Sequence, residues 1–400
     1  MEARAAGNDS LFLYSMEQLN RKRPLSPQIA LLLAEGYYNN NRPEEGLNIL
    51  VQYTGYQSDS LWQGDSLWNT LLSPADRLVL NASRRDVTAR IQTSQTAFTL
   101  DLENELIESM AYEPKSDRWF FGSVNTGRVY QYTAETQELV LFLGGDADGR
   151  QGVFSLEIDA DRNRLLLLSS YIELFANTNS VKRSTIYEYD LDTGVLLDRN
   201  DFYDGDEPRL LNDFERYSDG TLYISDAYYP AILKRSPEKV MDEFVFDPVG
   251  LKSTQGLAID RERGLLYVAD YMKGLFIYDL FTGERTDMAF HEAPYTLKGI
   301  DGIALYRTKK SGLLYAVQNG SNPARIAAIS ISKDGRSFEE IEAVDQATFE
   351  YGEPTVGVFV DNVFYFIANA PWPYVTNEGG FSSEYLPSAG IEIRSVELIK

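Results

Sequence analysis

Six short stretches along this chain open with a polar side chain followed within a residue or two by a small or apolar one. They are Glu108-Ser109-Met110-Ala111, Gln151-Gly152-Val153-Phe154, Asn212-Asp213-Phe214, Gln255-Gly256-Leu257-Ala258, Asp301-Gly302-Ile303-Ala304 and Thr355-Val356-Gly357-Val358. Four of the leading residues, Glu108, Asn212, Gln255 and Asp301, could serve one shared site. They supply two carboxylates and two amides, with no nitrogen or sulfur donor. Such an oxygen-only set suits a hard divalent cation, calcium above all, whose roughly six to eight ligands are completed by water or substrate. Any one polar opening is better read as a strand cap; the four together favour a metal.

Other chemistries are closed off by composition. The chain has no Cys, so it has no thiol nucleophile, disulfide, zinc knuckle or iron–sulfur ligand. Its one histidine, His291, rules out a multi-histidine metal cage within one chain. His291 stands in Phe290-His291-Glu292-Ala293-Pro294-Tyr295 and reads as a solvated loop side chain, with a proton-transfer role the alternative. Asp and Glu number 60 against 37 Lys and Arg, a formal charge of −23, which repels phosphate backbones and argues against nucleic acid as a partner. Neither a Gly-x-Ser-x-Gly elbow nor a Gly-rich phosphate loop is present. The acidic run Asp204, Asp206, Glu207 lacks the spacing of a calcium loop and reads as a solvated turn.

Residues that share a site from such distant positions need elements to bring them together. The six openings are separated by 43, 61, 43, 46 and 54 residues. After each comes a turn and an apolar or aromatic run: Trp119–Ser123, Leu165–Ser169, Leu222–Asp226, Leu265–Asp270, Leu313–Val317 and Val363–Ile367. Third runs follow at Val129–Tyr132, Ile186–Leu191 and Leu275–Leu280, the last two ending in Asp192-Thr193-Gly194 and Phe281-Thr282-Gly283 turn signals. A period of 40–50 residues with several short strands per repeat predicts an all-β, six-bladed β-propeller over 96–400. The segment Thr96–Leu102 precedes the first opening and is expected to join Ile391–Val396 in the sixth blade, sealing the ring. The innermost strand of each blade lines the central axis, so the openings face one another across one mouth of the channel.

Residues 11–75 follow a different, helical pattern. Ser26-Pro27 offers an N-cap with Pro at the first helical position, before the apolar run Ile29 to Leu33. Asn39-Asn40-Asn41-Arg42-Pro43 forms a turn into a second helix with Leu47, Ile49 and Leu50 inward. The hairpin resembles one tetratricopeptide unit, which cannot bury its own face alone. It is expected to be a short α-helical extension packed on the propeller, with a protein-docking role the alternative.

Residues 96–400 resemble the six-bladed gluconolactonase/regucalcin family. The likeness rests on Glu108-Ser109-Met110-Ala111-Tyr112 with Trp119, Asn212-Asp213 before Asp219-Gly220-Thr221-Leu222-Tyr223, Gln255-Gly256-Leu257-Ala258 before Leu266–Asp270, and Asp301-Gly302-Ile303-Ala304. The resemblance implies one divalent cation held at the channel mouth by Glu108, Asn212, Gln255 and Asp301. It also implies hydrolysis of a small-molecule lactone or ester, with Asp301 as acid/base and Glu108 balancing charge. Three positions depart from the family pattern: Gln255 stands where Asn is usual, Ser109 where Gly is usual, and Leu210 at the place of a sugar-reading arginine, with Arg209 one residue off. The alternative is a non-catalytic ligand- or protein-binding propeller whose cation is structural.

The insertion Asn369 to Gly390, with Pro371-Trp372-Pro373-Tyr374 and Phe381, suits either a lid over an apolar ligand or packing against the helices. The insertion Tyr171 to Lys182 shows no chemistry by sequence. No apolar run is long enough to span a membrane. Met1 to Ser10 lacks the apolar core of a signal peptide. The absence of Cys suits an oxidising, extracytoplasmic compartment.

Overall fold

The computed structural model describes residues 2–22, 27–56, 66–145, 147–177, 180–203, 209–286, 296–308 and 312–398. The second strand of each repeat explains the architecture. In Arg164–Ser170 four consecutive leucines are buried, yet alternate side chains of a strand point to opposite faces. Leu165 and Leu167 pack with Phe120, Val129 and Leu143 of the preceding repeat, whereas Leu166 and Leu168 pack with Leu222, Ile224 and Leu233 of the following one. Leu265–Asp270 is divided in the same way, with Tyr267 in one cluster and Val268 in the next. A sheet covered on both faces by its neighbours is a propeller blade.

Six antiparallel sheets form, and their innermost strands are Ile107–Glu113, Gly152–Asp159, Leu211–Arg216, Thr254–Asp260, Ile303–Arg307 and Gly357–Val360 for blades 1 to 6. This is the six-bladed propeller the repeat implies. Ring closure takes the expected form: Gln95–Leu100 is the outer strand of blade 6 and pairs with Ile391–Glu397, placing Leu100 opposite Ile391 and Gln95 opposite Ser395. Phe98 then stacks on Tyr132 of blade 1 at 4.4 Å between ring centroids and meets Trp119 edge-on, tying the closing strand to the first blade. A two-residue strand, Ile91–Gln92, also pairs with the outer edge of blade 5, which the sequence pattern did not suggest.

Glycines let the inner strands approach one another at the top. A Cβ on Gly256 would lie 2.7 Å from Asp301 O and from Ile303 N of the next blade; one on Gly302 would lie 2.8 Å from Thr355 O of the blade after that. Backbone occupies the space, which is why the polar openings of blades 4 and 5 are followed by Gly.

The helices are Glu2–Ala5, Asp9–Lys22, Pro27–Asn39, Pro43–Tyr56, Ser66–Leu71 and Pro74–Thr88. Pro27 does begin a helix, although Ser26 lies outside the described residues. The helical stretch runs beyond 75 because Ser73 caps a further helix, accepting from Asp76 N while Asp76 accepts from Ser73 N. Two apolar clusters hold the helices together, one around Leu50, Tyr53, Trp68 and Leu80, the other around Phe12, Met16 and Leu33. Among the described residues both consist of side chains from the first 80 residues alone, so the extension buries its face internally rather than on the propeller. No described helix is long and apolar enough to cross a membrane.

Because Leu100 is fully buried in the closing strand, Leu100→Ala should cost about 3 kcal/mol of propeller stability in urea unfolding. Removal of residues 1–88 should leave the main thermal transition within a few degrees. Gly256→Ala, meeting backbone on two sides, should destabilise by roughly 1–3 kcal/mol.

Candidate active site

Local irregularity aims the site residues. Pairing between inner and second strands shifts register between Ile107 and Ser109, between Val153 and Ser155, between Leu211 and Asp213, and between Thr254 and Leu257. Each bulge leaves a residue outside the ladder, and three of those residues are Glu108, Asn212 and Gln255. Asp301 just precedes its strand, its N–H donating to Val317 O at 2.9 Å. All four side chains line one cavity of about 490 Å³.

Two openings differ from expectation. In blade 2 the bulged residue on the cavity is Phe154; Gln151 lies outside it and donates to Val181 O. In blade 6 the cavity is lined by Glu353 and Val356, while the Thr355 hydroxyl is buried without a hydrogen-bond partner among the described residues. His291, Asp204, Asp206 and Glu207 lie outside the described residues.

The polar side chains are linked in pairs. Asn212 Nδ2 donates to Gln255 Oε1 at 2.6 Å, and Gln255 Nε2 donates to Ser253 Oγ at 3.2 Å. The extra methylene of Gln255 is what reaches across to the neighbouring blade's amide. Asn212 Oδ1 accepts from Ser225 Oγ at 3.1 Å. Asn319 Nδ2 donates to Asp301 Oδ2 at 2.8 Å, and Trp372 Nε1 donates to Glu108 Oε2 at 2.7 Å. Asp213 lies below, held by Ser155 Oγ at 2.7 Å and by the N–H groups of Leu257 and Phe214 at 2.8 and 2.9 Å.

Burial and crowding make these carboxylates reluctant to ionise. Burial, the Asp301 charge and the Glu353 charge push Glu108 well above the usual carboxylate range, against the indole N–H of Trp372. Burial raises Asp301 to about 7, with the Asp213 charge adding to it and Asn319 opposing. Burial and the Asp301 charge raise Glu353 to about 8. Asp213 rises to about 6 through burial, its hydrogen-bond donors restraining the shift.

A hard cation fits this donor set. It would offset the repulsion among Glu108, Asp301 and Glu353. It would also give a partner to Asn319 Oδ1, which is buried beside Asp301 with none among the described residues. Among the described residues no three carboxylate or imidazole side chains converge closely enough to hold an ion by themselves. An ion here would therefore rest on two carboxylates supplemented by amide oxygens, as the residue types suggest.

Asn319, Glu353 and Tyr271 were not legible as site residues. Asn319 follows the second strand of blade 5, Gly312–Gln318, and reaches the cavity only because that strand runs antiparallel beside Asp301. Trp372 of the Asn369–Gly390 insertion lines the cavity, packs near Phe175 and belongs to neither helical cluster.

No family model matches the chain, and no curated protein matches it. Solved structures do. The major allergen Mala s 1 of Malassezia sympodialis superimposes with a TM-score of 0.59 at 14% identity, covering 77% of this chain and 96% of that one. The PQQ-bound aldose sugar dehydrogenase of Streptomyces coelicolor gives 0.53 at 13%, covering 76% and 99%. The calcium-binding protein regucalcin of Agrobacterium tumefaciens gives 0.50 at 12%, covering 75% and 93%. These proteins differ in what they bind, and the likeness at such identities is one of fold: this chain has the propeller architecture that regucalcin also has.

Proposed function

We propose that this chain is a divalent-metal-dependent hydrolase of a lactone or ester. The observation that carries the proposal is the gathering of Glu108, Asn212, Gln255 and Asp301, from four blades, on one cavity beside the unpartnered oxygen of Asn319. Regucalcin's description as a calcium-binding protein supports calcium as the first cation to test. Glu108 and Asp301 would hold the ion by carboxylate, with the amide oxygens of Asn212, Gln255 and Asn319 available to complete the set. When bound, the cation supplies carbonyl polarisation and neutralises developing oxyanion charge.

The side chains do the rest. Asn319 fixes one oxygen of Asp301 and leaves Oδ1 without a partner among the described residues, so that oxygen is placed to take the proton of the attacking water. With the cation in place Asp301 would be ionised, the form a general base needs. The Trp372 indole fixes Glu108 and so limits its motion toward Asp301. One observation favours a second reading, a non-catalytic binding module: Asn212 Nδ2 occupies Gln255 Oε1, an oxygen that a catalytic cation would otherwise take.

Hydrolysis of a simple δ-lactone or p-nitrophenyl acetate in calcium should fall by 100-fold or more on chelation and in Asp301→Ala. Loss of thermal stability on chelation with no turnover of any lactone or ester would instead establish the binding module. Asn319→Ala should weaken calcium binding about tenfold by calorimetry.

The pH dependence has a definite sign. Asp301 and Glu353 have folded-state pKa values raised above those of an unfolded chain. Folded protein therefore holds more protons than unfolded between about pH 4 and 8, and cation-free stability should fall as pH rises across that window. Calcium requires the ionised forms, so its affinity should rise with pH from 6 to 8 and its binding should release protons. Calorimetry in buffers of different ionisation enthalpy reads this directly; calcium binding with no proton release at pH 6.5 would contradict it.

A further inference from the structure

The cavity is divided by chemistry. Its oxygen-bearing end is made by Glu108, Asn212, Gln255, Asp301, Asn319 and Glu353. Another part of its lining is one hydrocarbon surface. Phe154, Leu210 and Ala227 are 9%, 7% and 7% exposed and share one continuous apolar cluster with Ile172, Phe175 and Trp372.

Two insertions far apart in sequence build that wall. The blade 2 insertion gives Ile172 and Phe175, and the blade 6 insertion gives Trp372. Their rings meet at a tilt of 42°, with Phe175 and Trp372 centroids 6.3 Å apart. The insertions also touch through backbone, since a Cβ on Gly379 would lie 2.2 Å from Leu174 O.

Charge selects as well. Among the described residues lining the cavity there is no Lys, Arg or His, but there are four acids: Glu108, Asp213, Asp301 and Glu353. Arg209 is turned away, paired with Asp226 at 3.1 Å and stacked 3.6 Å over the Tyr229 ring. An anionic ligand would meet like charge without a protein cation to receive it. A polyhydroxylated ring would bury hydroxyls against Phe154, Ile172 and Leu210, where they have no partner. A neutral molecule with one carbonyl at the oxygen-bearing end and hydrocarbon along the wall satisfies both ends, and about 490 Å³ accommodates it.

We infer that the substrate is a neutral, apolar lactone or ester whose hydrocarbon part lies on the wall formed by Phe154, Ile172, Leu210 and Trp372, and that the two insertions set this selectivity. The inference rests on the hydrolase reading for its chemistry, but its claim about ligand class can be tested without turnover.

The test uses the full chain in calcium. Rates are measured on p-nitrophenyl acetate, butyrate and hexanoate, on γ-lactones of increasing alkyl length, and on glucono-δ-lactone. Binding of the corresponding γ-alkyl lactams, which resist hydrolysis, is measured by calorimetry. We expect kcat/KM and lactam affinity to rise about two- to fourfold for each added methylene, and the sugar lactone to be turned over at least tenfold more slowly than the hexyl compounds. Leu210→Arg should flatten the series. Because Leu210 is buried, Ile172→Ser on the half-buried insertion provides a second variant, which should also reduce the hexanoate-to-acetate ratio.

A flat series, or a sugar lactone preferred over the alkyl compounds, overturns the inference while leaving the hydrolase standing. No turnover, with lactam affinity still rising with chain length, supports the ligand class and overturns the hydrolase. No turnover and no chain-length dependence in binding overturns both.

Discussion

The tight convergence of inner strands at the channel mouth is the constraint on which the site depends. Gly256 and Gly302 have no room for a Cβ because the next blade's backbone fills it. Side chains that leave the inner strands at that level must therefore share a small volume. Bulges at Glu108, Asn212 and Gln255 take those residues out of the sheet ladder and turn them toward the axis. The approach of the blades and the gathering of oxygen atoms are thus one geometric fact, and closure by Gln95–Leu100 preserves both.

Convergence has an electrostatic cost. Glu108, Asp301 and Glu353 cannot all ionise in a half-buried space without a compensating charge, and no protein cation lines the cavity among the described residues. Either protons or a metal must balance them. Elsewhere the same protein neutralises buried acids with arginine: Glu113 with Arg118, Asp159 with Arg216, Asp260 with Arg307. Asp270, equally buried, is held instead by the backbone N–H groups of Lys252, Ser253, Met272 and Lys273. Glu108, Asp301 and Glu353 have neither an arginine nor such a ring of backbone donors among the described residues.

The fold was readable because blade packing leaves a strong local signature. Leu165 to Leu168 and Leu265 to Ala269 are apolar on both faces, and their repetition at blade spacing admits few alternatives. Ile91–Gln92 escaped notice because two residues carry no periodicity. In the site, residues on the inner strands were legible from their position in the repeat. Gln151 shows the limit: the bulge at Phe154 displaces the axis-facing position three residues downstream, and bulges are set by tertiary contact. Asn319 and Trp372 were harder still. One lies beyond a second strand, the other inside an insertion, and only folding brings either to a carboxylate.

Trp372 also shows how the two halves of the cavity are coupled. Its indole nitrogen holds Glu108 at the oxygen-bearing end, while its ring belongs to the hydrocarbon wall with Phe154 and Leu210. The insertions of blades 2 and 6 flank blade 1, so ring closure brings residues near 172 and 372 together beside Glu108. Loops of this kind can change length and composition without altering strand register, since they leave the sheets at their ends. The oxygen-bearing end cannot vary so freely, because its members issue from strands whose spacing the whole ring determines. The oxygen-bearing side chains and the insertion side chains therefore come from different parts of the chain and meet at Trp372. A ligand pressing on the Trp372 ring would act on the carboxylate that the indole holds.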